Sequence, residues 1–134
     1  MKISIEVDVK APLEKVWETW VRPEHIINWN FASDDWCCPT AEIDLKVGGK
    51  FSYRMEAKDG SMGFDFEGTF IKVSPHESIH FKLEDDRIVK VEFSEMNGKV
   101  KVVEIFEAED ENSAEQQKQG WQSILNNFKK HAES

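Results

Sequence analysis

From the second residue onward, apolar and polar side chains alternate. Ile3, Ile5, Val7 and Val9 interleave with Lys2, Ser4, Glu6 and Asp8, and a period of two predicts a strand with one wet face over Lys2–Val9. The period then changes. Leu13, Val16, Trp17 and Trp20 fall at i, i+3, i+4 and i+7, the single apolar stripe of an amphipathic helix. Pro12 is placed as its first helical residue, where a missing N–H costs nothing. Arg22-Pro23 ends this helix and opens a second, with Ile26, Ile27 and Trp29 as its buried residues. Residues 30–40 keep no period but contain Phe31 and Trp36, so this loop is expected to cover something.

Period two returns after Ala41. Runs near 41–46, 50–57, 62–73, 78–84, 87–95 and 99–108 are separated by Gly48-Gly49, Asp59-Gly60, Ser74-Pro75, Asp85-Asp86 and Asn97-Gly98. Glycine and asparagine tolerate positive φ, so these pairs read as tight turns. Connections this short force neighbouring strands to pair antiparallel, as a meander. One face carries Phe51, Tyr53, Met55, Phe64, Phe66, Phe70, Ile79, Phe81, Leu83, Val91 and Phe93, while the alternate positions are mostly polar. A final helix opens at Ser113 with Gln116 in capping-box spacing. Ala114, Trp121, Ile124, Leu125 and Phe128 form its stripe, and Lys129, Lys130 and His131 sit where the helix dipole favours positive charge. The fold expected is α+β: a curved antiparallel sheet of about seven strands wrapped around a long C-terminal helix, with two short helices after strand 1. No internal repeat or linker divides residues 1–134, so one domain is expected.

Composition narrows the function classes. Five Trp and nine Phe concentrate a 40% hydrophobic fraction in bulky rings, enough for a substantial core. With 26 acidic against 17 basic residues the net charge is −9, which repels phosphate backbones and anionic lipid surfaces, so neither nucleic acid nor a membrane is an expected partner. No apolar run has the length of a membrane span. Cys37 and Cys38 are adjacent and the only cysteines; two reduced thiols are expected, in keeping with a cytoplasmic setting. A zinc site would need more ligands than nearby His25 supplies, so no metal and no cofactor is expected.

Three stretches carry a resemblance: KAPLEKVWETWVRPEHIINW (10–29), DLKVGGKFSYRMEAKDG (44–60) and GWQSIL (120–125), with GTFIKVSPHESIHF (68–81) beside them. They closely resemble the activator of 90-kDa heat-shock-protein ATPase homologue-like family, within the START-like (SRPBCC) superfamily. The resemblance implies the helix-grip fold and commonly a cavity between sheet and terminal helix. Two positions depart from the family pattern. Gln117 stands where the family often has a histidine three residues before Gly-Trp, and Asn30 follows Trp29 where it often has a second tryptophan. Eukaryotic activators also carry a separate N-terminal domain that supplies much of the chaperone contact, and this sequence shows no counterpart of it.

The aromatic set Trp29, Phe31, Trp36, Tyr53, Phe66, Phe81 and Trp121, with Leu125, either lines a ligand cavity or fills a solid core. Glu104 is the most informative polar residue. Val100, Val102 and Phe106 share its parity, whereas Val103 and Ile105 hold the opposite one, so either face of this strand qualifies as the buried one. An inward carboxylate would be desolvated, its pKa raised, and suited to a ligand hydrogen bond or to acid–base work. Gly120, costly inside a helix, implies close approach of a ligand or of the sheet, or simple packing beneath Trp121. His25, His76, His80 and His131 are scattered, no nucleophile elbow or phosphate loop is present, and no catalytic residue is assigned. His25 is expected at the surface, the alternative being a helix face shared with Trp29, at i and i+4, at a cavity mouth. The leading expectation is non-catalytic binding of a small hydrophobic or amphipathic molecule. The resemblance adds two others: a chaperone-modulating or stress-response interaction, and a cyclase- or dehydratase-like enzyme.

Overall fold

The computed structural model describes residues 1–134. β1 (Lys2–Val9) leads into α1 (Leu13–Val21) and α2 (Pro23–Ile26). Seven strands follow: β2 (Trp36–Cys37), β3 (Ala41–Ile43), β4 (Lys50–Ala57), β5 (Gly63–Ser74), β6 (Ser78–Leu83), β7 (Ile88–Met96) and β8 (Lys99–Glu107). α3 (Ala114–Ala132) closes the chain. The sheet has eight strands in the order β1-β8-β7-β6-β5-β4-β2, with β3 also paired to β4. The count exceeds the expected seven because residues 36–37, inside the stretch without a period, pair with Glu56 and Ala57 at the far end of β4. Two residues are too few to display an alternation.

Local chemistry accounts for the turns and caps. Asn97 (φ 53°) and Gly98 (φ 79°) are both left-handed, as a two-residue hairpin turn requires. Pro12 lies one residue earlier than expected, as the N-cap of α1 in an extended conformation, and Pro23 is the first residue of α2. Trp29 lies beyond α2, in the turn that follows it. Ser113 caps α3, its hydroxyl accepting from the Gln116 N–H at 3.1 Å. In β5 a register shift between Phe70 and Lys72 increases the local twist.

The inner face of the sheet carries Ile3, Ile5, Val7 and Val9 from β1, Phe51, Tyr53 and Met55 from β4, and Val100, Val102, Glu104 and Phe106 from β8, all buried. Gly68 is a packing necessity rather than a turn. A Cβ there would lie 2.6 Å from the Phe51 ring, so the ring occupies the space a side chain would fill. Phe64 departs from the expected buried face. It is 47% exposed, at the hairpin end of β5, with its ring against Trp36 at 6.1 Å.

α3 lies over this face and buries Leu125, Phe128 and Ala132. Phe128 meets Trp20 and Trp29 edge-on at 4.9 and 5.0 Å, and the Trp29 indole donates to the Thr19 carbonyl at 2.9 Å. These contacts lock α1, the turn after α2, and α3 together. Along its other side α3 reaches β1, the terminal strand of the sheet. Gln122 Nε2 donates to the Glu6 carbonyl at 3.3 Å and Lys129 Nζ to the Asp8 carbonyl. The Lys10 N–H donates to Glu133 at 2.8 Å, just past the helix end.

Candidate functional site

Between the inner face and α3 lies a cavity of about 300 Å³, with 14 of its 19 lining residues hydrophobic. That size is at the lower end for small-molecule sites. The sheet contributes Tyr53 from β4, Phe66 from β5, Phe81 from β6 and Glu104 from β8. Trp121 and Leu125 come from α3, and Trp29 from the turn after α2. Trp121 stacks on Phe106 with centroids 4.1 Å apart and planes 8° from parallel, and Phe66 meets it edge-on at 6.0 Å. Two aromatic residues expected in the lining lie outside it. Phe31 packs on the edge of the core, its carbonyl accepting from Asn127 at 2.5 Å, and Trp36 sits on β2 at the margin of the sheet.

Glu104 faces inward. Its strand neighbours across the ladder are Ile5 and Val91, both buried and apolar. It is 6% exposed, and burial alone raises its pKa from 4.5 to about 8. No protein group donates to its carboxylate, yet no fully buried side-chain oxygen in the molecule lacks a partner; its oxygens therefore open onto the cavity. The Tyr53 hydroxyl is likewise without a protein partner, and burial, with Cys38 nearby, raises its pKa. An apolar chamber thus presents an acid group and a phenol whose hydrogen-bonding capacity is unused.

The remaining polar groups are occupied. Gln117, 9% exposed, holds residue 109 from both sides. Its Oε1 accepts from the Glu109 N–H at 2.8 Å, and its Nε2 donates to the carbonyls of Glu109 at 3.1 Å and Asn112 at 2.8 Å. At the position where the family often has histidine, this side chain braces the loop before α3. Asn30, at the other departure, is buried and donates to the Cys38 sulfur at 3.9 Å. Arg87 binds Asp85 at 2.7 Å and the Glu107 carbonyl at 3.2 Å. Sequence reasoning missed Asn30 and Arg87 as lining residues because they lie in loops that have no period, and Gln117, one turn before Trp121 on α3, because a polar side chain does not register in an apolar stripe.

His25 does not share a cavity face with Trp29. Its Nδ1 lies 3.1 Å from His131 Nε2, tying α2 to the end of α3. The sheet does not approach Gly120 closely, since a Cβ there would meet no atom of another element within 4 Å. Gly120→Ala is therefore expected to stabilise the protein by about 1 kcal/mol through helix propensity alone. Urea denaturation would measure this, and a loss of stability would mean that the position needs glycine. No group of three or more His, Cys, Asp or Glu side chains is arranged to hold a metal ion. No helix is long and apolar enough to cross a membrane.

The solved structure of the AHSA1-like protein from Aeromonas hydrophila matches with 46% identity and a TM-score of 0.94, covering 99% of this chain and 92% of that one. A protein from Cytophaga hutchinsonii matches with 45% identity and a TM-score of 0.86, covering 98% and 92%. One from Nitrosomonas europaea shares the fold at 16% identity, with a TM-score of 0.81 and coverage of 98% and 93%. No curated protein matches the chain significantly. The model of the family described as Activator of Hsp90 ATPase homolog 1-like protein matches residues 10–133. The chain belongs to that family, and its fold is the START-like helix-grip fold.

Proposed function

We propose that the chain is a single START-like domain that binds a small hydrophobic or amphipathic molecule, without catalysis, between the sheet and α3. The observation that carries this reading is the apolar cavity whose acid group and phenol have no protein partner. Burying roughly 200 Å² of ligand apolar surface contributes about 5 kcal/mol before association costs. Hydrogen bonds to Glu104 and Tyr53 add to this contribution and orient the ligand. The two free thiols, Cys37 and Cys38, agree with a cytoplasmic location.

Native mass spectrometry of gently purified protein tests the reading. An extra mass that leaves on denaturation is expected, and Trp121→Ala should reduce its retention about tenfold, the effect of losing one well-packed ring face. A bare protein mass, with no thermal shift across a broad library of apolar compounds, would remove the ligand-binding reading. The family description favours a second reading, modulation of a chaperone ATPase. This predicts a changed ATP turnover of the chaperone on addition of the protein, undiminished when the cavity is filled or altered.

A further inference from the structure

Glu104 is the one carboxyl on the cavity wall for which the protein supplies neither a hydrogen bond nor a charge. Tyr53, the other titratable lining group without a hydrogen bond, is a phenol held neutral by burial. Every element packed around Glu104 is silent in this respect. β1 presents Ile5 and β7 presents Val91. From α3, Trp121 is turned onto Phe106, and the Gln117 amide is spent on the loop before the helix. The cation that lines the cavity, Arg87, is engaged by Asp85 and by the Glu107 carbonyl. Of the other titratable lining groups, Glu109 adds negative charge and Tyr53 is held neutral by its burial. A buried carboxylate is stable as an anion only when a positive partner is supplied with it.

Resting on the small-molecule reading above, we propose that the ligand is an amphipathic amine, its ammonium group seated on Glu104 and its apolar part among the aromatic side chains. Three features agree on this class. Glu104 has no cationic partner within the protein, and an ammonium group would supply one to its ionised form. The rest of the cavity wall is mostly apolar and aromatic, Trp121 and Phe66 included, which suits the apolar part of such a ligand. The chain as a whole carries a net charge of −9, which raises the local concentration of cationic ligands and lowers that of fatty-acid-like anions. On binding, the Glu104 carboxyl releases its proton to water, and the ammonium keeps its own. Charge is conserved, since one positive charge enters the site as one proton leaves.

Binding is measured by calorimetry with three probes of matched tail: phenylbutylamine, phenylbutanol and phenylbutyrate. Near pH 8, where Glu104 ionises, the amine is expected to bind at least about tenfold more tightly than the alcohol, and the carboxylate not measurably. The amine's affinity should fall by up to about tenfold per pH unit below that point, while the alcohol's stays flat. Glu104→Gln should erase both the amine preference and the pH slope, bringing the amine and alcohol affinities to within about twofold of each other. Equal affinities for amine and alcohol near pH 8, or a preference that persists in Glu104→Gln, would overturn the amine assignment and leave the binding reading standing. Failure of all three probes, in wild type and variant alike, would count against the binding reading and the amine assignment together.

Discussion

Replacing Glu104 by glutamine is expected to raise the melting temperature of the empty protein by about 10 °C at pH 8 and to leave it nearly unchanged at about pH 4. The carboxyl titrates at 4.5 when unperturbed and at about 8 in the folded protein, with burial as the cause. The unfolded chain therefore releases this proton first as the pH rises. Below 4.5 both states hold it, and its contribution to stability is fully present. Between 4.5 and 8 the unfolded state gains progressively, and the contribution is lost as the pH passes through the folded value. A shift of this size corresponds to on the order of 4 kcal/mol at pH 8. Glutamine keeps the shape and does not titrate. Melting curves at a series of pH values would check this; wild-type and variant curves that run parallel would mean that Glu104 is not desolvated in the folded state.

Phe128→Ala is expected to cost about 4 kcal/mol, measured as a lowered urea midpoint at unchanged slope. Phe128 is fully buried and touches Trp20 and Trp29 edge-on, so its removal loses ring burial, two aromatic contacts and the pin between α3 and the first two helices. The surrounding rings are rigid and belong to different elements, which limits collapse into the space left behind. Trp121→Ala should cost less, because Trp121 is only half-buried and already borders a cavity. If truncation at Phe128 cost under about 1 kcal/mol, the α1–α3 contact would not hold the helix to the sheet.

Much of the fold was legible because parity survives in most strands. The alternation in Lys2–Val9 is reproduced by an alternating exposed and buried pattern at every residue of β1, and the Asn97-Gly98 turn has the dihedrals those residues favour. The orientation of β8 was not legible. Val103 pairs with Glu6 and Glu92, and Ile105 with Ser4 and Lys90. The aliphatic stems of such neighbours partly cover these branched side chains on the outer face, so apolar residues occupy both parities. The strand's neighbours decide its inward face, and a single strand does not contain that information. Of the candidate site, the aromatic residues on strands and on α3 were found by parity and helical spacing. Phe31 and Trp36, in a stretch without a period, were placed by residue type alone, and the structure puts both outside the cavity. Gln117 was legible only as a difference from the family pattern; its brace on Glu109 depends on how an aperiodic loop meets the helix.

The bonds that α3 sends to the carbonyls of Glu6 and Asp8 have a consequence for the crowded cell. β1 ends the sheet, and a free strand edge with unpaired backbone groups is a template on which another chain can add a strand. Here a glutamine and a lysine, two helical turns apart, occupy acceptors that such an intruder would need. The helix that roofs the cavity thus also protects the protein against edge-to-edge aggregation.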